Sequence, residues 1–292
     1  MPELPEVEIT RLQIEPYLAG RRILRVATTA PSYFFITPPE EVRALLKGAY
    51  IASLERKGKY LMADLGDRGT LLLHLGMTGQ LFTEGATSVR LLSKTAQAAL
   101  SPENQRRFSG NDGHTHLRIS FDDGGPRIFF RDVRKFGKVQ LLRPGESCKR
   151  LESLGRDALE LTEDYLHGIT RKRKVPIKSF LLNQRLIAGV GNIYADEALF
   201  LSGIRPTRRA FRLTHADCRR LAKEVRAVML RSIKAGGSSI RDYISPEGQD
   251  GGYQDERRVY ARTGESCLVC KSSIKRVVVG QRSSHYCPKC QK

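Results

Sequence analysis

Two cysteine pairs constrain this chain more than anything else in it. Cys267-Leu-Val-Cys270 and Cys287-Pro-Lys-Cys290 are separated by sixteen residues, the spacing of a zinc ribbon in which each Cys-x-x-Cys turn brings two thiolates to one ion. Between the pairs, Val277-Val278-Val279 followed by Gly280 suits a β-hairpin. A segment this short has no core of its own, so bound zinc would supply its folding energy. The alternative, disulfides, requires an oxidising compartment. Against that, the opening MPELPEVE is acidic and proline-punctuated, where a secretory signal would be basic and then apolar. Zinc and a cytoplasmic location are therefore expected. Four thiolates close the coordination shell, which makes the metal structural and moves the chemistry elsewhere. Cys148 and Cys218 are solitary and read as ordinary thiols.

The charge balance narrows the partner. Fifty Lys and Arg stand against 31 Asp and Glu in 292 residues, a formal charge of +19, and such an excess implies a polyanion: nucleic acid, anionic membrane or ribosome. Basic residues gather at Arg171-Lys172-Arg173-Lys174 and beyond Arg257. No apolar run approaches the ~20 residues of a membrane helix, which excludes a transmembrane protein. A chain of this length buries roughly three-quarters of its extended surface, enough for one or two cores without disulfides.

Periodicity divides the chain. Val7, Ile14 and Leu18 share one helical face, Pro5 is tolerated in a first turn and Gly20 can end the helix. Short alternating or apolar runs follow at 22–27, 60–65, 70–75, 117–121, 127–131 and 138–142 and predict strands of an antiparallel sandwich or barrel. Residues 84–116, polar and rich in Ser, Asn and Gly except at 89–92 and 96–100, read as a mobile surface insertion. After Pro144-Gly145 the pattern turns helical at 161–167, 177–182, 195–201 and 216–233, closed by Gly236-Gly237. The fold class expected is α+β. Gly189-Val190-Gly191-Asn192 precedes one of these helices, with Asn192 as a candidate cap. A helix start of this kind suits a phosphate. Together with the basic hairpin and the net charge, it favours nucleic acid as the partner.

Five motifs in one order carry a resemblance. Pro2-Glu3-Leu4-Pro5-Glu6-Val7-Glu8, His74-Leu75-Gly76-Met77-Thr78-Gly79, Asp132-Val133-Arg134-Lys135-Phe136-Gly137, Gly189 to Glu197 and the terminal cysteine hairpin resemble bacterial formamidopyrimidine-DNA glycosylase from one end of the chain to the other. The resemblance implies an N-terminal helix with an antiparallel β-sandwich over 1–145, a helix-two-turn-helix domain over 150–240, a lesion-recognition loop over 241–256 and a zinc finger over 257–292. It implies a monomer that acts on double-stranded DNA bearing oxidised purines or abasic sites, with no cofactor beyond one structural zinc on Cys267, Cys270, Cys287 and Cys290.

By the same resemblance Pro2, freed by removal of Met1, is the nucleophile that attacks C1′. A reference α-amine, with a pKa near ~8, is appreciably neutral at physiological pH where a lysine near ~10.4 is not, and the neutral amine is the reactive form. Glu3 is implied as general acid and base. Lys59 would bind phosphate and assist acid chemistry, and Glu6 would lie in the damaged-base pocket. Because a base inside a duplex has to be flipped out, Met77 would fill the vacated space, Phe136 would wedge between bases and Arg134 would bond the orphaned cytosine. Met adapts to an irregular void and apolar wedges suit unstacking. Asn192, Arg282 and Lys178 are implied phosphate contacts, Arg282 from the tip of the finger hairpin. The family usually carries Pro and Arg where Val133 and Lys135 stand, which bears on the rigidity of that loop. Glycines at 248, 251 and 252 would permit a lid to close over the everted base.

Three competing readings remain. The endonuclease VIII branch of the same fold prefers oxidised pyrimidines, but it tends to carry Gly where Leu4 stands. A non-catalytic zinc-ribbon DNA binder would not need Pro2, Glu3 and Lys59 together. A ribosome or RNA binder would let RNA compete equally with damaged duplex at moderate salt.

Overall fold

The structure is a computed structural model that describes residues 2–86, 113–239 and 243–292. Two compact units are present, the first built from 1–148 and 235–252, the second from 149–234 and 253–292.

The first unit begins with helix α1 (Leu4–Leu18), capped at Glu3 with Pro5 in its first turn. Gly20 in the left-handed conformation (φ 77°) redirects the chain into the sheet, as the sequence predicts. Strands β1 (Arg21–Thr28) and β2 (Tyr50–Ile51) flank helix α2 (Pro39–Leu46). Then come β3 (Ser53–Lys57), β4 (Tyr60–Asp64), β5 (Thr70–His74), β6 (Gly79–Thr83), β7 (Thr115–Phe121), β8 (Ile128–Asp132) and β9 (Lys138–Leu142). They form two antiparallel sheets, ordered β2-β1-β7-β8-β6 and β3-β4-β5-β9. The expected sandwich is thus present.

Alternation builds its core. Ile23, Val26, Leu81, Leu117, Ile119 and Phe130 of one sheet and Leu54, Leu61, Leu71, Leu73, Val139 and Leu141 of the other join one buried cluster, closed by Val7, Ile14 and Leu18 of α1. At roughly 1.5–3 kcal/mol for each fully buried aliphatic or aromatic side chain, this cluster dominates the unit's stability. Strand β6 is buried along its whole length because both its faces are covered. Leu81 points to the core, while Phe82, opposite Phe129 on β8, packs with Ala86 and Ile244 in a second cluster. Ile244 therefore covers the outside of this sheet, and the Pro246 carbonyl accepts from the Thr83 amide at 3.4 Å.

The predicted strands appear with ends shifted by a residue or two, and β2, β3, β6 and α2 were not anticipated. Of the expected insertion over 84–116, residues 87–112 lie outside the described residues. Its last two residues are strand, because Thr115 pairs with Arg131 of β8, and the His116 ring reaches the carbonyl of Asp132 at 2.9 Å.

The second unit holds α3 (Lys149–Glu152), a two-residue parallel pair β10 (Arg156–Asp157) and β11 (Ile187–Ala188), α4 (Glu163–Thr170), α5 (Ile177–Leu181), α6 (Asn192–Leu201) and α7 (His215–Lys234). Helix α7 buries Leu221, Val225 and Val228, the predicted face. The hairpin of β12 (Lys275–Val279) and β13 (Arg282–Tyr286) follows, turning through Gly280 and Gln281. Among the described residues no helix is long and apolar enough to cross a membrane.

Candidate active site and nucleic-acid interface

The N-terminus of α1 is locked by its own sequence. Glu3 and Glu6 form a reciprocal capping box, each side chain serving the other's backbone N–H. The Glu3 amide donates to Glu6 Oε2 at 2.8 Å, and the Ser238 amide donates to Glu6 Oε1 at 2.9 Å. Glu6 thereby ties the helix start to the segment at 238. Pro2, Glu3 and Glu6 are all buried. Tyr243, from the same segment, is buried beside them. Burial and then the Glu6 charge push its phenol well above the usual tyrosine range, so it stays protonated.

Residues 237, 239 and 251 meet closely. A Cβ on Gly251 would sit 2.2 Å from the carbonyl oxygen of Gly237, so two backbones touch where a side chain cannot fit. Gly251 also donates its N–H to Ser239 Oγ at 2.8 Å. Gly251 therefore serves close approach; residues 240–242 lie outside the described residues.

Lys59 lies in the β3–β4 turn, and Glu8 fixes that turn against α1. One Glu8 oxygen accepts from Arg56 Nε at 2.7 Å and the other from Arg11 at 2.8 Å. Burial raises the Glu8 pKa, but the two guanidiniums outweigh it and hold the carboxyl below the usual glutamate value. Arg56 also donates to the carbonyl of Gly58, directly before Lys59. Lys59 itself is largely buried.

Met77, Arg134 and Phe136 come together through a buried aspartate. Asp132 is fully buried and accepts from Thr78 Oγ1, from the Arg134 amide at 3.2 Å and from the Gly137 amide at 2.6 Å. A Cβ on Gly76 would lie 2.5 Å from the backbone of both Phe136 and Gly137, so the Met77 turn and the 132–137 loop meet backbone to backbone. The Arg134 guanidinium lies 4.7 Å from the Phe136 ring centre, within cation–π range, and Phe136 is 41% exposed. Met77 is half-buried.

In the second unit Arg282 is exposed at the hairpin tip, and Asp196 anchors Ser284 and His285, which follow it closely. The Asp196 carboxylate receives the Ser284 hydroxyl at 2.9 Å, the His285 amide at 2.8 Å and the Lys178 ammonium at 2.7 Å. Lys178 also donates to the Ser283 carbonyl at 2.6 Å. The Lys178 side chain is wholly buried beneath the hairpin, where its four-carbon length and charge bridge α5 to β13. The helix cap expected at Asn192 falls one residue earlier. Gly191 occupies the cap position in extended conformation, and Asn192 is the first helical residue. Its amide oxygen is buried without a hydrogen-bond partner among the described residues. Glu197 accepts the amides of Arg258, Val259 and Tyr260 at 2.8–3.0 Å. Its burial pushes the carboxyl above the usual range despite those three donors.

The four cysteines converge, their sulfurs all within 4.8 Å of one another. Cys267 and Cys290 are 3.9 Å apart and Cys270 and Cys287 3.3 Å; tetrahedral zinc with ~2.3 Å bonds asks for sulfurs about 3.8 Å apart. The set fits one structural zinc.

Sequence reasoning passed over Glu8, Asp132, Asp196 and Glu197, although each lies inside a motif it had singled out. Their partners are 48 to 89 residues away for Glu8–Arg56, Asp196–His285 and Glu197–Val259, and no local pattern announces such pairings.

Known proteins agree with this architecture. Residues 1–139 match the formamidopyrimidine-DNA glycosylase N-terminal domain, 154–244 the H2TH domain of the same enzyme, and 264–292 a zinc finger found in FPG and IleRS. In that order the three regions define a zinc-finger DNA-repair glycosylase. The formamidopyrimidine-DNA glycosylases of Paracoccus denitrificans and Solibacter usitatus are 40% and 41% identical to it, with all of both chains covered. The Lactococcus lactis Fpg in complex with DNA containing an abasic site is 32% identical with a TM-score of 0.83, covering 99% of each chain. MutM in complex with DNA containing carbocyclic 8-oxo-G gives 32% and 0.83 over 100% of each. The chain belongs to the formamidopyrimidine-DNA glycosylase family.

Proposed function

We propose that this protein is a monomeric, bifunctional DNA glycosylase and abasic-site lyase of base excision repair. It removes oxidised purines, 8-oxoguanine and formamidopyrimidines, from double-stranded DNA and then cuts the strand. Removal of Met1 converts the Pro2 nitrogen from an inert amide into a secondary amine. That amine attacks C1′ of the flipped nucleotide as the N-glycosidic bond breaks and the base leaves with its electron pair and a proton. Glu3 protonates the sugar ring oxygen, the ring opens, and the C1′–N bond becomes an iminium. The iminium acidifies the C2′ proton. Its loss expels the 3′ phosphate, a second elimination expels the 5′ phosphate, and hydrolysis frees Pro2.

The observation that carries this reading is the double hold on Glu6, which fixes the helix start bearing Pro2 and Glu3 and ties it to the segment implied to close over the everted base. Fixing a nucleophile before the substrate arrives is how positioning lowers a barrier. Lys59 would grip phosphate from a turn whose place Glu8 sets. Met77, Phe136 and Arg134 would occupy the gap left by the flipped base, and Asn192 and Arg282 would hold backbone phosphates. Lys178 would act through the hairpin that it supports. Zinc takes no part in the reaction; it stabilises the finger.

Borohydride trapping on a duplex carrying 8-oxoguanine opposite cytosine tests this, beside a thymine-glycol duplex, an undamaged duplex and Pro2→Gly. A covalent adduct on the 8-oxoguanine duplex that disappears in Pro2→Gly is expected. Preference for thymine glycol would move the protein to the endonuclease VIII branch, and no adduct after confirmed Met1 removal would refute the lyase mechanism.

A further inference from the structure

Tyr33 is 60% exposed, among the most exposed large side chains among the described residues, yet its position is sharply fixed. The two residues after it anchor the chain. Phe34 is fully buried with its ring 4.8 Å from Phe130, and Phe35 is nearly so. The backbone here pairs with β9: Val139 donates to the Phe34 carbonyl and Ile36 to the Val139 carbonyl, both at 2.9 Å. An aromatic ring held in water by buried neighbours on one side calls for a partner.

The Tyr33 hydroxyl donates to the backbone carbonyl of Arg134 at 2.9 Å. Its ring centre is 6.4 Å from that of Phe136, and the Lys138 ammonium lies 4.9 Å from it. Arg134 is thus gripped at both of its peptide groups. Asp132 and Thr78 take its N–H, at 3.2 and 3.3 Å, and Tyr33 takes its carbonyl. The next residue, Lys135, adopts φ 57°, a left-handed conformation uncommon for a residue with a Cβ. Such a conformation persists where the surroundings over-determine it, and the Tyr33 hydroxyl bonds the peptide that joins Arg134 to Lys135. Without that bond the peptide joining Arg134 to Lys135 keeps only the Lys135 N–H donated to the Asp132 carbonyl at 3.4 Å, and the carbonyl side of the peptide that aims the guanidinium is held less tightly.

We propose that Tyr33 is a positioning residue for opposite-base discrimination: its hydroxyl fixes the Arg134 backbone so that the guanidinium meets the base left unpaired on the undamaged strand. This rests on the reading of Arg134 given above. Guanidinium recognition of a base edge depends on a fixed fork, so loosening the backbone should cost selectivity more than binding.

The test is single-turnover excision of 8-oxoguanine opposite cytosine and opposite adenine by the parent, Tyr33→Phe and Tyr33→Ala. Tyr33→Phe keeps the ring and removes only the hydrogen bond. The cytosine-over-adenine rate ratio is expected to fall by about 2- to 10-fold, the range for one neutral hydrogen bond, and at least as far in Tyr33→Ala. Partial unfolding scales both rates together and leaves the ratio alone. A parental ratio in Tyr33→Phe overturns the proposal. A parent that excises from neither duplex refutes the glycosylase reading instead, so the two failures are distinct.

Discussion

Glu8 in the first unit, paired with Arg56 and Arg11, and Asp196 in the second, paired with Lys178, each locate a segment bearing an implied DNA contact, but they do so in different solvents. Glu8 and Arg56 keep 15% and 9% of their side chains exposed, and water shares their charges. Asp196 and Lys178 keep none. A buried ion pair recovers its desolvation cost only when the remaining lone pairs and protons are also satisfied. Asp196 accordingly takes two further donors from the hairpin and Lys178 a carbonyl. The difference follows from what each unit can bury. The sandwich has a large apolar core, so an ion pair need only trim the position of one turn. The finger rests on a small cluster of Phe200, Val259, Cys267, Ile274 and Cys287, so metal and charge have to specify its geometry.

Removing zinc should therefore separate the units most sharply. Structural zinc contributes on the order of 10–16 kcal/mol in isolated fingers at neutral pH, more than the hairpin's own apolar contacts can replace. Chelation followed by hydrogen exchange is expected to release one zinc per chain and abolish protection over 275–286, while β4, β5 and β9 stay protected. Persistent protection of the hairpin would show that the Asp196 network alone suffices. Asp196→Ala should have the next largest effect, about 3–5 kcal/mol in thermal or denaturant unfolding, because it takes the carboxylate away from a buried ammonium. Adding Lys178→Met should recover most of that loss. A single mutant as stable as the parent would mean that water reaches Lys178.

The same contrast explains what was legible in the sequence. Local signals sufficed for the zinc ligands, whose spacing is itself the geometry, and for strands such as β9 and the buried face of α7. They failed for β3, whose sequence Ser-Leu-Glu-Arg-Lys buries only Leu54 at the sheet edge, and for β6, buried on both faces and so without alternation. Helix α2 had its signals, Pro39 in the first turn with Glu40 and Glu41, but only Val42 and Leu46 to mark a face. The site residues came from motif order, while the residues that orient them did not. Lys178 read as an implied phosphate contact because nothing local discloses that Asp196 will meet it in the interior.

The smallest effect is the most specific to the first unit. The guanidiniums of Arg56 and Arg11 hold the Glu8 carboxyl below its ordinary value near 4.5. A carboxyl with a depressed folded pKa binds protons more readily when unfolded, so its contribution is complete above the unfolded value and disappears as pH falls through the folded one. Glu8→Gln should cost about 1–2 kcal/mol at pH 7, the scale of a charge-assisted hydrogen bond at a half-buried site. The cost should shrink below pH 4.5 as the parent's own Glu8 protonates. Asp123, held at about 2 by Arg21 and the Gly125 amide, and Asp217, also held low, titrate alike in both proteins and cancel from the difference. Unfolding curves of parent and variant from pH 7 to pH 3 check this. A gap that stays constant would assign the loss to packing, whereas a closing gap would show that a water-shared ion pair holds the Lys59 turn against α1.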